Sequence, residues 1–64
     1  MKLKEIKKGT YFTLKNLEFP SDSQVWIKGE YDKPSKSYSI INFSDTNRER
    51  FIKGNHAIFT DFTF

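Results

Sequence analysis

Apolar and polar positions change period once along this chain. In Lys2-Leu3-Lys4-Glu5-Ile6-Lys7-Lys8-Gly9, Leu3 and Ile6 stand three apart. That is the spacing of one helical or 3-10 turn docking two apolar side chains, with Gly9 free to take positive φ as its stop. From Thr10 the period is two. Phe12 and Leu14 share one parity against Tyr11, Thr13 and Lys15, so Thr10 to about Lys15 is the first predicted strand. Glu18-Phe19-Pro20-Ser21-Asp22-Ser23 gathers turn formers without periodicity and reads as a loop, with Phe19 expected to fold back over the end of the sheet.

Alternation resumes from Gln24 to Tyr31, the second predicted strand, with Val25, Ile27 and Tyr31 opposing Gln24, Trp26, Lys28 and Glu30. Gly29 inside it marks a bulge or bend, and a register change there would offer Trp26 a place in the core instead of the polar face. Asp32-Lys33-Pro34-Ser35-Lys36 supplies proline for a turn's second position and joins this strand to Ser37–Phe43 as a hairpin. Thr46 and Glu49 are spaced as a capping box, which predicts a single helical turn over Asp45 to Glu49. Arg50 to Lys53 is a fourth strand. Gly54-Asn55 fits a two-residue II′ turn, and His56 to Phe64 is a fifth strand with Ile58, Phe62 and Phe64 on one parity.

Five short strands with a bend at Gly29 and one short helical turn predict a single all-β domain over residues 1–64, a five-stranded antiparallel barrel. The stretch Leu3-Lys4-Glu5-Ile6-Lys7-Lys8-Gly9-Thr10-Tyr11-Phe12-Thr13-Leu14, a lysine-glycine turn leading into an aromatic strand, resembles the opening of many SH3-like barrels. The order continues through Trp26, the Tyr31 to Tyr38 hairpin and the turn at Asp45 to Glu49. Nearly the whole chain resembles short uncharacterised SH3-like β-barrel proteins of gut Bacteroidales and their phages or mobile elements. That resemblance implies a fold and a mobile-element origin; it implies no mechanism, since one fold hosts many functions.

Composition narrows the classes. The chain has 64 residues, so it holds one domain, and no cysteine, which excludes a disulfide framework and thiolate metal sites and points to a reducing cytoplasm. No apolar run is long enough to span a bilayer, and charges occupy Met1 to Gly9, where a signal peptide needs an apolar stretch. Aromatics make up 17% of the chain against only 36% hydrophobic residues, so a few large rings must build the core. The net charge of +3 is mild, but its blocks alternate: residues 1–15 hold five Lys and one Glu, 16–32 one Lys and four acids, 33–53 five bases and two acids. A basic patch would require the first and third blocks to meet in space.

Candidate chemistry follows. His56 and Asp61 are the one acid-base pair to consider, yet five apart on a strand they face opposite ways, so no enzyme is expected. Asp45 and Asn47 begin like a calcium loop, but Arg50 and His56 occupy the places of its glycine and bidentate glutamate; both are expected as caps and turn formers, with no metal and no cofactor. The Asn42-Phe43-Ser44 glycosylation sequon is set aside for want of a signal peptide. The expected binding residues are Trp26, Lys28, Arg48, Arg50, Phe59 and Phe64. Phe59 and the pair Phe62 and Phe64 stand on opposite faces of the last strand, and a domain this small cannot bury both. The leading expectation is a non-catalytic adaptor or inhibitor that docks a protein, or a second copy of itself, on an aromatic and basic surface. The alternative is nucleic-acid or nucleotide-phosphate binding, with bases stacked on Trp26 and phosphates on Lys28, Arg48 and Arg50.

Overall fold

The structure is a computed structural model that describes residues 1–63. A 3-10 turn at Leu3–Glu5 leads into β1 (Tyr11–Thr13); a second 3-10 turn at Asp22–Gln24 precedes β2 (Val25–Asp32), followed by β3 (Ser37–Asn42) and β4 (Glu49–Ile52). The four strands form one antiparallel sheet in the order β1-β2-β3-β4. The all-β class and the first four strands agree with the alternation, each within a few residues, as does the 3-10 turn at Leu3 with Gly9 at φ +88°.

The fifth strand does not form among the described residues; Phe64 lies outside them. Segment 57–59 makes two isolated bridges, Ala57 to Lys2 and Phe59 to Thr13. Its backbone is divided between two hosts. Ile58 N–H donates to Met1 O at 2.9 Å, whereas Phe59 and Thr13 exchange bonds of 3.0 and 2.9 Å, so no ladder grows on either side. The sheet is open, because β4 pairs only with β3 and the chain beyond it is bound by the N-terminal turn, Lys4 N–H to Gly54 O and Leu3 N–H to His56 O. The predicted II′ turn is also absent. Gly54 does not take positive φ; a Cβ there would lie 2.9 Å from Tyr38 Cε2 and 3.1 Å from Lys4 Cβ, so the position demands a residue without a side chain.

Nor does Asp45 to Glu49 form a helical turn. Asp45 instead closes a tight turn with both its groups, Oδ1 accepting from Asn47 N–H at 3.1 Å and the carbonyl from Arg48 N–H at 2.9 Å. The Arg48 carbonyl then accepts from Asn42 N–H at 3.0 Å, just before β4 begins. Pro34 does occupy the second position of its turn, which Lys36 N–H closes onto Lys33 O. Phe19 is 73% exposed, so it does not fold back, and its neighbour Pro20 is buried instead.

Gly29 does mark a bulge. Lys28 pairs with Ile40 and Tyr31 with Tyr38, so Gly29 and Glu30 together oppose Ser39. A Cβ on Gly29 would lie 2.3 Å from Ser39 Oγ, the hydroxyl that accepts from Glu30 N–H at 3.0 Å. The bulge moves Tyr31 off the face of Val25 and Ile27 and sets its ring, tilted by 59°, with its centre 4.9 Å from that of Tyr38. Cross-strand partners share a face, so Phe12, Trp26, Lys28, Ile40 and Ile52 point one way and Tyr11, Ile27, Ile41 and Phe51 the other. The first of these faces carries the core. Phe12, Trp26, Ile40 and Ile52 cluster there under Leu3 and Ile58, which the N-terminal turn and the 57–59 bridge lay across the sheet.

A basic cleft over Trp26

Three of the expected binding residues meet in one place. Arg48 and Arg50 are two apart and flank the start of β4, so both side chains rise from the core face. Between them and Trp26 lies β3, where the small, buried Asn42 stands between Trp26 and Arg48, and Arg50, opposite Ile40, reaches the ring diagonally. Two strand spacings amount to roughly 10 Å, within reach of an arginine crossing a short neighbour. The guanidinium carbons of Arg48 and Arg50 sit 5.6 and 5.8 Å from the Trp26 ring centre, the range of cation–π attraction. Among the described residues neither guanidinium has a carboxylate within salt-bridge distance. Lys8 and Glu30 form an exposed ion pair elsewhere on the molecule.

Leu14, Lys15 and Leu17, from the segment after β1, and Ser23 and Gln24, from the second 3-10 turn, complete a surface cleft of about 290 Å³ around these three residues. Its ionisable lining is wholly cationic, while the two leucines give it an apolar wall. Asn42 fixes the far wall. Its Nδ2 donates to Ser23 O at 2.9 Å, and its Oδ1 accepts from Ser44 N–H at 3.1 Å and Ser44 Oγ at 2.8 Å, so every polar group of this fully buried side chain is used. Ser21 and Gln24 cap the 3-10 turn reciprocally, with Ser21 N–H donating to Gln24 Oε1 at 2.9 Å, which holds Gln24 at the rim. Sequence reading missed Leu14, Lys15, Leu17 and Gln24 as site residues. The Ser21-x-x-Gln24 spacing was the signal that could have placed the last of them.

The other expected residues lie apart. Trp26 itself is 4% exposed, with its ring under the two guanidiniums, and it is not an open stacking platform. Lys28 is 6% exposed, donates to Ile6 O and lies 4.3 Å from the Tyr38 ring centre; burial lowers its pKa from the ordinary lysine value. Phe59 is half-buried on the far side of β1, and Phe64 lies outside the described residues. His56 is exposed near the 54–55 turn, whereas Asp61 lines a different cleft with Asn16 and Glu18.

A second basic cleft, of about 550 Å³, opens at the opposite end of the core face. Lys4, Lys36 and Lys53 surround Tyr31 and Tyr38 there, with Gly54 and Asn55 at the rim. The first and third basic blocks of the chain therefore do meet, at Lys15 with Arg48 and Arg50 and again at Lys4 with Lys36 and Lys53. Among the described residues no helix is long and apolar enough to cross a membrane. The chain matches no known family model, no curated protein and no solved structure.

Proposed function

We propose that this chain is a non-catalytic, cytoplasmic binding module whose Trp26 cleft docks an acidic segment of a partner protein, one that carries apolar side chains beside its carboxylates. The observation that carries the reading is the placement of Arg48 and Arg50 over the Trp26 ring with no carboxylate among the described residues within salt-bridge distance of them. A guanidinium held on a ring is pre-oriented for bidentate carboxylate contacts and loses little freedom on binding. Leu14 and Leu17 offer the apolar contact that a bare anion would not use. General acid-base chemistry needs groups whose proton affinities are driven apart, and a lining of lysine and arginine does not supply that pairing. We also propose that the fold is a minimal SH3-like arrangement that stays open at β4 instead of closing into a full barrel. Support comes from segment 57–59 lying against β1, which extends the order to 57–59, β1, β2, β3, β4.

The test is a titration of Trp26 fluorescence with a peptide that mixes Asp, Glu and Leu, repeated with a single-stranded oligonucleotide. Peptide binding is expected to weaken with salt and to fall by about tenfold in each of Arg48→Ala and Arg50→Ala, as for the loss of one charge-assisted contact. A peptide that does not bind at low ionic strength overturns the reading. The second reading, nucleic-acid or nucleotide-phosphate binding, rests on the other cleft, where Tyr31 is exposed among three lysines. Oligonucleotide binding lost in Tyr31→Ala and unaffected by Arg48→Ala would favour it.

A further inference from the structure

We propose that the free edge of β4 pairs with the same edge of a second copy, antiparallel about a two-fold axis at Phe51, to make one continuous eight-stranded sheet. The argument begins with the backbone. Asn42 N–H donates to Arg48 O, and the β3–β4 register then makes Arg48, Arg50 and Ile52 the residues whose backbone groups face β3. Alternation turns those of Glu49 and Phe51 the other way, and no other element of the described residues takes them up. Glu49, Arg50 and Phe51 are all exposed, Phe51 by 55%. The opposite edge of the sheet differs, since Phe59 already bridges it at Thr13.

Short, charged edge strands normally resist pairing, because most registers bring like charges together. Here the charges discriminate among registers. In a symmetric antiparallel pair, hydrogen bonding requires outward-facing residues to meet outward-facing residues. Centring on Glu49 would set two carboxylates face to face, and centring on Arg50 would oppose two guanidiniums. Centring on Ile52 would leave Glu49 outside the paired strands. With the axis at Phe51, the two Phe51 residues exchange both backbone bonds and their rings pack, each Glu49 faces Lys53 of the second copy, and Arg50 faces Ile52. The exposed bond from Lys53 Nζ to Ser35 O, 2.7 Å long, would be exchanged for one to a carboxylate. Two-fold symmetry makes every contact twice. Five residues a side bury little area, so the pair is weak and concentration-dependent.

Sedimentation equilibrium from about 10 μM to about 1 mM should show monomer converting to dimer. Glu49→Lys places like charges opposite each other at both symmetric positions and should weaken association by at least about tenfold. The double variant Glu49→Lys, Lys53→Glu should restore it, with Trp26 fluorescence reporting that each variant is folded. Amide hydrogen exchange at Glu49 and Phe51 in the unsubstituted protein should slow as concentration rises. A strict monomer at the highest concentration, association indifferent to Glu49→Lys, a double variant that does not recover, or exchange independent of concentration would each overturn the proposal.

Discussion

The two faces of this sheet are built by the same strands with the same alternation, yet one carries the continuous apolar core and the other is buried only in part. Phe12, Trp26, Ile40 and Ile52 lie buried on the first, while on the second the short side chains of Thr13, Val25 and Ser39 are buried, Ile27 and Ile41 are half-buried, and Tyr11 and Phe51 are exposed. Side-chain polarity does not account for the difference, because the buried face carries Lys28 and Asn42 and the open one carries two isoleucines. What separates them is the cover. Leu3 and Ile58 lie across one face because the N-terminal turn and segment 56–58 bind each other's backbones there. A strand's fate is set by what lies over it, and polar residues on the covered side are retained by finding partners.

The sharpest test of this contrast is a pair of substitutions of the same residue type. Phe12→Ala should cost about 3–5 kcal/mol in urea unfolding, enough to leave so small a domain largely unfolded, whereas Phe51→Ala should stay within about 0.5 kcal/mol at concentrations where the protein is monomeric. Equal costs would dissolve the distinction. Gly29→Ala comes next. Its methyl group would enter the space of Ser39 Oγ, and a loss of about 1–3 kcal/mol is expected, partly recovered by adding Ser39→Ala, which removes that hydroxyl.

The smallest effect is at Lys28. Burial lowers its pKa in the folded state, so between that lowered value and the ordinary one the unfolded chain holds more protons than the folded chain. Stability should therefore rise with pH through that alkaline window and level off near the unfolded lysine value of about 10.4. Comparing thermal unfolding of the unsubstituted protein with Lys28→Met over this range isolates the contribution, and a variant with the same slope would show that Lys28 is not its source.

Much of the fold was legible in the residues. The change from a three-residue to a two-residue period located the Leu3 turn and β1, Pro34 located a hairpin, and Gly29 located the bulge. The fifth strand was misread because alternation at Ala57, Ile58 and Phe59 reports which side chains point inward, and Ile58 does, but not whether one neighbour supplies successive backbone partners. The candidate site was legible in part. Arg50 was read on the fourth strand but Arg48 in a helical turn before it, and their meeting with Trp26 is a matter of register across three strands, which sets Trp26 against the short Asn42 and Arg50 against Ile40. Trp26 and Lys28 were assigned to the polar side of β2 by their company of Gln24 and Glu30, and they are buried because the cover fell on that side.

By itself, then, the sequence determined the class of structure, the position of four strands, the sites of two tight turns and the local bulge, since all of these follow from steric preferences acting over a few residues. The tertiary structure alone decided which face of the sheet is covered, which edge is left open and which cations converge on Trp26. Those outcomes depend on contacts between segments tens of residues apart, whose free energies are comparable for several arrangements until the whole chain has closed around one of them.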